Sequence, residues 1–268
     1  MQLEGKRVLL SGATGGIGRA IANQLAGAGA LLVLSSRKRE ELDRLGQSLP
    51  GGADRHQTIV ADLAEPGAAE GLVERAGDLD GLVANAALPA SGKLENFSSE
   101  EVQRAIRVNL ESPILMGRAL GLRLAEKGEG HLVFISSLSG KVSSPRSALY
   151  SSTKFGLRGF AFALREDMHP HGVGVSIVSP GFVRGAGMWA DADVEPPPMI
   201  GTTTPEKVAQ AVVRAIERDR NEITVAPLRQ RFVAEIGYRH PAIAARLQRR
   251  GGADRIADEL AAGQSDKR

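Results

Sequence analysis

The stretch YSSTK places Tyr150 four residues before Lys154. On a helix those two side chains share one face. A phenol has an ordinary pKa near ~10, too high for a base at neutral pH, but an adjacent ammonium favours the phenolate and lowers it. The pair therefore suggests a proton-transfer group. Such a group could protonate a carbonyl oxygen while hydride reaches the carbon, or remove the proton of an alcohol in the reverse direction. Thirteen residues earlier, Ser137 closes the apolar run HLVFISS, where its hydroxyl could hydrogen-bond the same substrate oxygen. With two tyrosines and eight lysines in the chain, the spacing alone is modest evidence, and its surroundings must supply the rest.

A second group of residues supplies them. SGATGGIG, at 11–18, follows the first apolar run and opens the first helical pattern, the context of a dinucleotide-binding fingerprint. Gly12, Gly16 and Gly18 meet three needs: a tight turn, backbone approach to a pyrophosphate, and close packing of helix on strand. Thr14 and Ile17 belong to the same loop, and the helix N-terminus behind it offers free N–H groups to the anion. At the end of the second run an acidic residue would hold the ribose hydroxyls and repel a 2′-phosphate. The chain reads SSRKR instead, with Ser36 at that place and Arg37 next. A neutral hydroxyl and a guanidinium favour NADP(H) over NAD(H).

The elements that must hold these residues are legible as alternation. Apolar runs at 7–12, 30–36, 56–62, 79–86, 131–137, 173–179 and 222–227 are separated by amphipathic stretches such as GRAIANQLAGAG and AEGLVERAG. This predicts an α/β fold: a Rossmann-like, doubly wound parallel sheet of seven strands with helices on both faces. Residues 1–227 form one catalytic domain in this reading. Within it, 184–204, with three consecutive prolines and no periodicity, reads as a substrate lid. The tail 228–268 reads as a basic helical extension, with nine Lys or Arg against five Asp or Glu.

Composition narrows the function classes. With no cysteine, disulfides and thiolate chemistry are excluded, and a reducing, cytoplasmic setting is expected. The five histidines are scattered without metal-ligand spacing, so no metal is expected. A net charge of +3 and 4% aromatics speak against nucleic acid. Glu4, Lys6 and Arg7 interrupt any signal-peptide core, and no uncharged run approaches the ~20 residues of a membrane span.

Taken together, the motifs resemble the short-chain dehydrogenase/reductase family, in its branch of about 250 residues. The resemblance runs from Lys6 to Pro227. It rests on SGATGGIG, Asp62-Leu63, Asn85-Ala86-Ala87, Asn109, Ser137, Tyr150, Lys154 and Pro180-Gly181. It implies that Tyr150 is the acid/base, that Lys154 lowers its pKa and holds the nicotinamide ribose, and that Ser137 orients the substrate oxygen. By the same resemblance Asn109 holds a relay water, Asp62 contacts adenine with Leu63 beside it, Asn85 and Ala86 sit by the cofactor, and Pro180, Gly181 and Val183 line the carboxamide. A homodimer or homotetramer is the assembly implied. Four departures stand out: Ser11 for the usual Thr, Ala87 for the last glycine of the NAG motif, Gly185 for a carboxamide-binding threonine, and Gly15 where some NADP-dependent members carry a basic residue, which leaves the 2′-phosphate preference to Arg37.

The expected activity is thus an NADP(H)-dependent interconversion of a carbonyl and an alcohol. The alternative from another class is a non-catalytic dinucleotide sensor on the same fold. Met188 and Trp189 in the lid, with Leu88, Leu138 and Phe182 after motif residues, suggest an apolar pocket. The tail could lie on an acidic membrane surface, or pack over a neighbouring subunit or the substrate cleft.

Overall fold

Continuous apolar runs belong where a strand is covered on both faces, and the computed structural model places them there. It describes residues 1–187, 201–250, 257, 258, 262 and 263; Met188, Trp189 and the rest of 188–200 lie outside the described residues. Seven strands form one sheet: β1 (Arg7–Ser11), β2 (Leu31–Ser36), β3 (Gln57–Val60), β4 (Gly81–Ala84), β5 (Gly130–Ile135), β6 (Val173–Pro180) and β7 (Glu222–Val225). All neighbours pair in parallel, in the order β3-β2-β1-β4-β5-β6-β7. Every residue of the central strands β4 and β5 is buried, while the edge strands β3 and β7 are partly exposed.

Alternation of side chains divides the core into two layers. Val8, Leu10, Leu32, Leu34 and Val83 face one layer, closed by α1 (Gly16–Gly27), α2 (Arg39–Ser48) and a helix at Pro205–Glu217. Leu9, Val33, Leu82, Leu132 and Phe134 face the other. The second layer is covered by helices at Ala68–Ala76, Ser112–Lys127 and Ala148–Met168. In chain order the helices after α2 are α3 (Gly52–Arg55), α4 (Ala68–Ala76), α5 (Ser99–Ile106), α6 (Ser112–Lys127), α7 (Ala148–Met168), α8 (Pro205–Glu217), α9 (Leu228–Arg239) and α10 (Pro241–Arg250). Gly117 lets α6 approach the sheet: a Cβ there would stand 2.9 Å from the Phe134 ring.

Five of the expected strands run one or two residues beyond the observed ladders at their C-terminal ends, for a physical reason. The extra residues, such as Gly12, Asn85 and Ser137, leave the sheet to form the loops of the site. α5 and α8 begin at capped ends. Ser98 and Glu101 form a reciprocal capping box, and Thr204 caps Pro205 by accepting from the Lys207 N–H. Between α5 and α6 the chain takes a π-helical turn at Arg107–Glu111, a widened turn that often accompanies functional sites.

One buried histidine ties this core to pH. His131 on β5 is 2% exposed and its Nε2 lies 2.8 Å from the Ser176 hydroxyl. Ser176 sends its proton to the Arg220 carbonyl, so the imidazole donates to Ser176. Burial pushes the His131 pKa from 6.5 down to about 4. The folded state then binds this proton more weakly than the unfolded state. Its contribution is complete above pH 6.5 and is lost as pH falls towards about 4, by an amount on the order of 3 kcal/mol. Denaturant melts at pH 7 and pH 4.5 should show that loss, and a His131→Asn variant should show a shallower one. Equal pH slopes for the two proteins would contradict this account.

Candidate active site

The order of strands changes direction between β1 and β4, and a crevice opens beyond their C-terminal ends. Both loops at this point are locked together. The Ser11 hydroxyl accepts from the N–H groups of Asn85 and Ala86 at 3.1 and 3.2 Å, so the hydroxyl retained by serine has a defined use. Asn85 Nδ2 donates to the carbonyls of Ser11 and Gly12 at 3.2 and 3.0 Å. Gly12 is left-handed, with φ +65°, and a Cβ on it would meet the Ala86 Cα at 2.8 Å. A Cβ on Gly18 would overlap the Gly12 carbonyl, and one on Gly16 would meet Ala186 Cβ at 2.6 Å. At all three positions close packing against neighbouring protein atoms leaves no space for a side chain.

The cleft above this junction has a volume of about 1080 Å³. Gly12, Thr14, Gly16, Ile17 and Gly18 line its phosphate end, and Ser36, Arg37, Asp62 and Leu63 line the side towards β2 and β3. Asn85, Ala86, Ser137, Tyr150, Lys154, Pro180, Gly181 and Val183 complete the wall. The sequence-derived candidates thus converge on the cleft except Asn109, which does not line it. Asn109, fully buried in the π-turn, spends its side chain on the backbone of Leu88. Its Oδ1 accepts from the Leu88 N–H at 2.7 Å and its Nδ2 donates to the Leu88 carbonyl at 3.0 Å. The side chain acts as a clamp on the loop after β4.

Near β2 the charges are partly matched. Glu41 takes Lys38 at 2.8 Å and Arg19 at 3.0 Å, which hold its carboxyl below the ordinary range, while Arg37 lines the cleft beside them. Asp62 uses Oδ1 to accept from the Ala64 N–H at 3.0 Å, and its Oδ2 lies 3.7 Å from Arg104. Arg104 also lines the cleft. It was invisible to sequence reasoning because it sits on α5, 42 residues from Asp62, in no motif.

At the floor, Tyr150 and Lys154 occupy successive turns of α7 and are 7% and 2% exposed. Ser137, whose hydroxyl accepts from the Ser139 N–H at 3.1 Å, lies beside the phenol and favours its ionised form. Lys154 Nζ donates to the Ile135 carbonyl at 3.1 Å and stands 5.7 Å from the centre of the Tyr150 ring. The expectation that Lys154 lowers the phenol pKa is reversed here. Burial dominates and pushes Tyr150 up to about 12, Ser137 opposing it, while burial brings Lys154 down to about 8. A ring-to-ammonium distance of this size does not offset the loss of water around the phenol.

The outer wall comes from segments carrying no motif. Gln230, Val233 and Ala234 of α9 line the cleft, with Gln248 of α10 and Ala257. Gln230 is buried, accepts from the Phe182 N–H at 3.3 Å and donates to the Gly201 carbonyl at 2.7 Å. Gln248 donates to the Ser143 carbonyl at 3.0 Å, and Asp258 pairs with Arg146 at 2.7 Å. Of the substrate-wall candidates, Leu88, Leu138 and Phe182 do line the cleft.

A parallel sheet with a glycine-rich loop at its switch point is the Rossmann-type arrangement. The comparisons name the family. The model of the short chain dehydrogenase family matches residues 6–195, and the chain belongs to that family. It is 34% identical over 227 residues to the ketoacyl reductase HetN of Nostoc sp., covering 83% of this chain and 79% of that one. It is 29% identical to the 3-oxoacyl-[acyl-carrier-protein] reductase FabG of Rickettsia prowazekii, covering 84% and 94%. A solved structure from Beutenbergia cavernae, provisionally assigned as an NAD(P)-dependent gluconate 5-dehydrogenase and carrying NADP at low occupancy, superposes with a TM-score of 0.74. It is 27% identical, over 84% of this chain and 96% of that one. The protein is an NAD(P)-dependent short-chain dehydrogenase/reductase acting on carbonyl and alcohol groups.

The Asn109 clamp is open to test. Asn109→Ala strands a buried N–H and a buried carbonyl on Leu88, and stability should fall by roughly 1–3 kcal/mol. Urea denaturation of the two proteins measures it, and unchanged stability would mean the clamp carries no weight.

Proposed function

We propose that the enzyme is NADP(H)-dependent and interconverts a medium-sized apolar ketone or aldehyde with its alcohol, using Tyr150 for proton transfer. The observation that carries this reading is the meeting of the Ser137 hydroxyl, the Tyr150 phenol and the Lys154 ammonium at the cleft floor, beside the glycine cradle. The relatives described as a ketoacyl and a 3-oxoacyl-[acyl-carrier-protein] reductase support a carbonyl on an apolar chain. The preference for NADP(H) is supported by neutral Ser36 and by Arg37 on the cleft wall, and agrees with the NADP in the Beutenbergia relative.

The residues present fit a dinucleotide. The loop Gly12, Thr14, Gly15 and Gly16 lines the cleft at the N-terminus of α1, where free N–H groups suit a pyrophosphate. A bound nicotinamide supplies hydride to, or accepts it from, the substrate carbon. Every other task falls to the chain. Ser137 orients the substrate oxygen by hydrogen bonding. Tyr150, neutral at pH 7 because its pKa is about 12, holds the proton that oxygen needs when the carbon gains hydride. That protonation state suits reduction. Lys154, about 8, is mostly charged at pH 7 and stabilises negative charge developing on the oxygens beside it.

Replacing Tyr150 by Phe should abolish reduction of a carbonyl panel while NADPH binding, followed by its fluorescence, persists; undiminished turnover would sink the reading. Arg37→Ala should weaken NADPH by about 10- to 100-fold, the value of one charge-assisted hydrogen bond, and leave NADH little changed. Equal effects on both cofactors would assign the preference elsewhere. With pH, kcat/KM for reduction should hold steady below about 8 and decline above it, as Lys154 loses its proton while Tyr150 keeps its own.

A further inference from the structure

The three residues proposed to handle the proton ride on two separate pieces of backbone. Ser137 belongs to the loop after β5, while Tyr150 and Lys154 belong to α7. The two pieces touch directly near Lys154. The Ser136 hydroxyl donates to the Lys154 carbonyl at 3.3 Å, and a Cβ on Gly140 would stand 2.7 Å from that same oxygen. Contact alone fixes distance and leaves sliding free. A second attachment is required to fix register.

Glu222, the first residue of β7, supplies one. Its Oε1 accepts from Arg158 Nε at 3.1 Å and from the Ser179 hydroxyl at 3.2 Å. Its Oε2 accepts from Arg158 Nη2 at 3.1 Å and lies 2.9 Å from Lys141 Nζ, which also donates to the Thr224 hydroxyl at 2.8 Å. Arg158 is one helical turn beyond Lys154, and Lys141 is four residues beyond Ser137. One carboxylate therefore holds both pieces of backbone to the same point on the sheet. The side chains of Lys141, Arg158 and Glu222 are only 18%, 19% and 17% exposed, so solvent screens them weakly. Burial alone would raise the Glu222 carboxyl, yet the Arg158 and Lys141 bonds keep it below its ordinary value. The guanidinium is further confined by the Phe162 ring at 4.5 Å and by Tyr238 of α9 at 5.7 Å.

We infer that Glu222 is a positioning residue for the reaction: through Lys141 and Arg158 it sets the register of the Ser137 loop against the Tyr150 helix. It touches neither cofactor nor substrate, being absent from the cleft lining, and acts by geometry. The inference rests on the reading that Ser137 and Tyr150 share one substrate oxygen. A shift of about 1 Å between two such groups lowers turnover by about 100-fold.

The test is steady-state kinetics per NADPH-binding site, with sites titrated by NADPH fluorescence so that misfolded protein is not counted. Glu222→Gln should lower kcat by about 10- to 100-fold while KM for NADPH stays within about threefold, and Glu222→Asp should recover part of the loss by keeping the charge. A Glu222 of purely structural importance would lower the number of binding sites and the melting temperature, and leave kcat per site unchanged. That result overturns the inference. Should Glu222→Gln fail to fold, Lys141→Met decides, because it keeps the Arg158 pair and frees only the Ser137 loop. A comparable fall in kcat supports the inference, and an unchanged kcat overturns it. Tyr150→Phe, run alongside, separates the levels. If it is inactive while the tether variants keep full kcat, only the inference falls; if it is active, the reading beneath falls.

Discussion

The burial of a lysine ammonium beside a tyrosine phenol is the constraint around which the rest of the structure is arranged. Lys154 is 2% exposed and, among the described residues, donates to one protein acceptor, the Ile135 carbonyl. Both groups give up water at this position, and their pKa values move in opposite directions because each loses its charged form. An environment of that kind can exist only inside walls that exclude solvent from several sides. α7 supplies the pair, β5 the acceptor, the loop after β5 the serine, and α9 the outer wall.

The sheet determines where those walls meet. Parallel strands deliver all their C-terminal ends to one edge, so the loops after β1 to β6, from distant parts of the sequence, share one cleft. The reversal between β1 and β4 leaves the crevice, and the bonds of Asn85 to Ser11 and Gly12 keep it from spreading. Glycine is required at Gly12 and Gly18 for steric reasons visible on each side. One faces Ala86, and the other faces the carbonyl of Gly12 itself.

The polar network on β7 belongs to the same design. A helix and a loop are tied to a third element by charge, with two cations on one carboxylate. The two tyrosines of the chain then have related surroundings. Tyr150 lies beside Lys154 and Tyr238 beside Arg158, one turn apart on the same helix. In the proposed reaction the first cation lies at the chemistry, and the second anchors the frame that holds it.

Much was legible in the sequence, since the deciding physics acts over a few residues. Continuous apolar runs separated by amphipathic stretches specify a parallel sheet covered on both faces. Gly12, Gly16 and Gly18 after a strand specify an anion cradle, and Tyr150 with Lys154 at helical spacing specifies a shared face. Other features were decided only in three dimensions. Desolvation depends on everything packed around a group, so the direction of the Tyr150 shift could not be read from its neighbour Lys154. Asn109 had an assigned motif, but which backbone its amide clamps depends on where the loop carrying Leu88 passes. Arg104, Gln230 and Glu222 have no local signature, because their partners lie 42, 48 and 64 residues away in Asp62, Phe182 and Arg158. Only the folding of the sheet brings those distances down to a hydrogen bond or an ion pair.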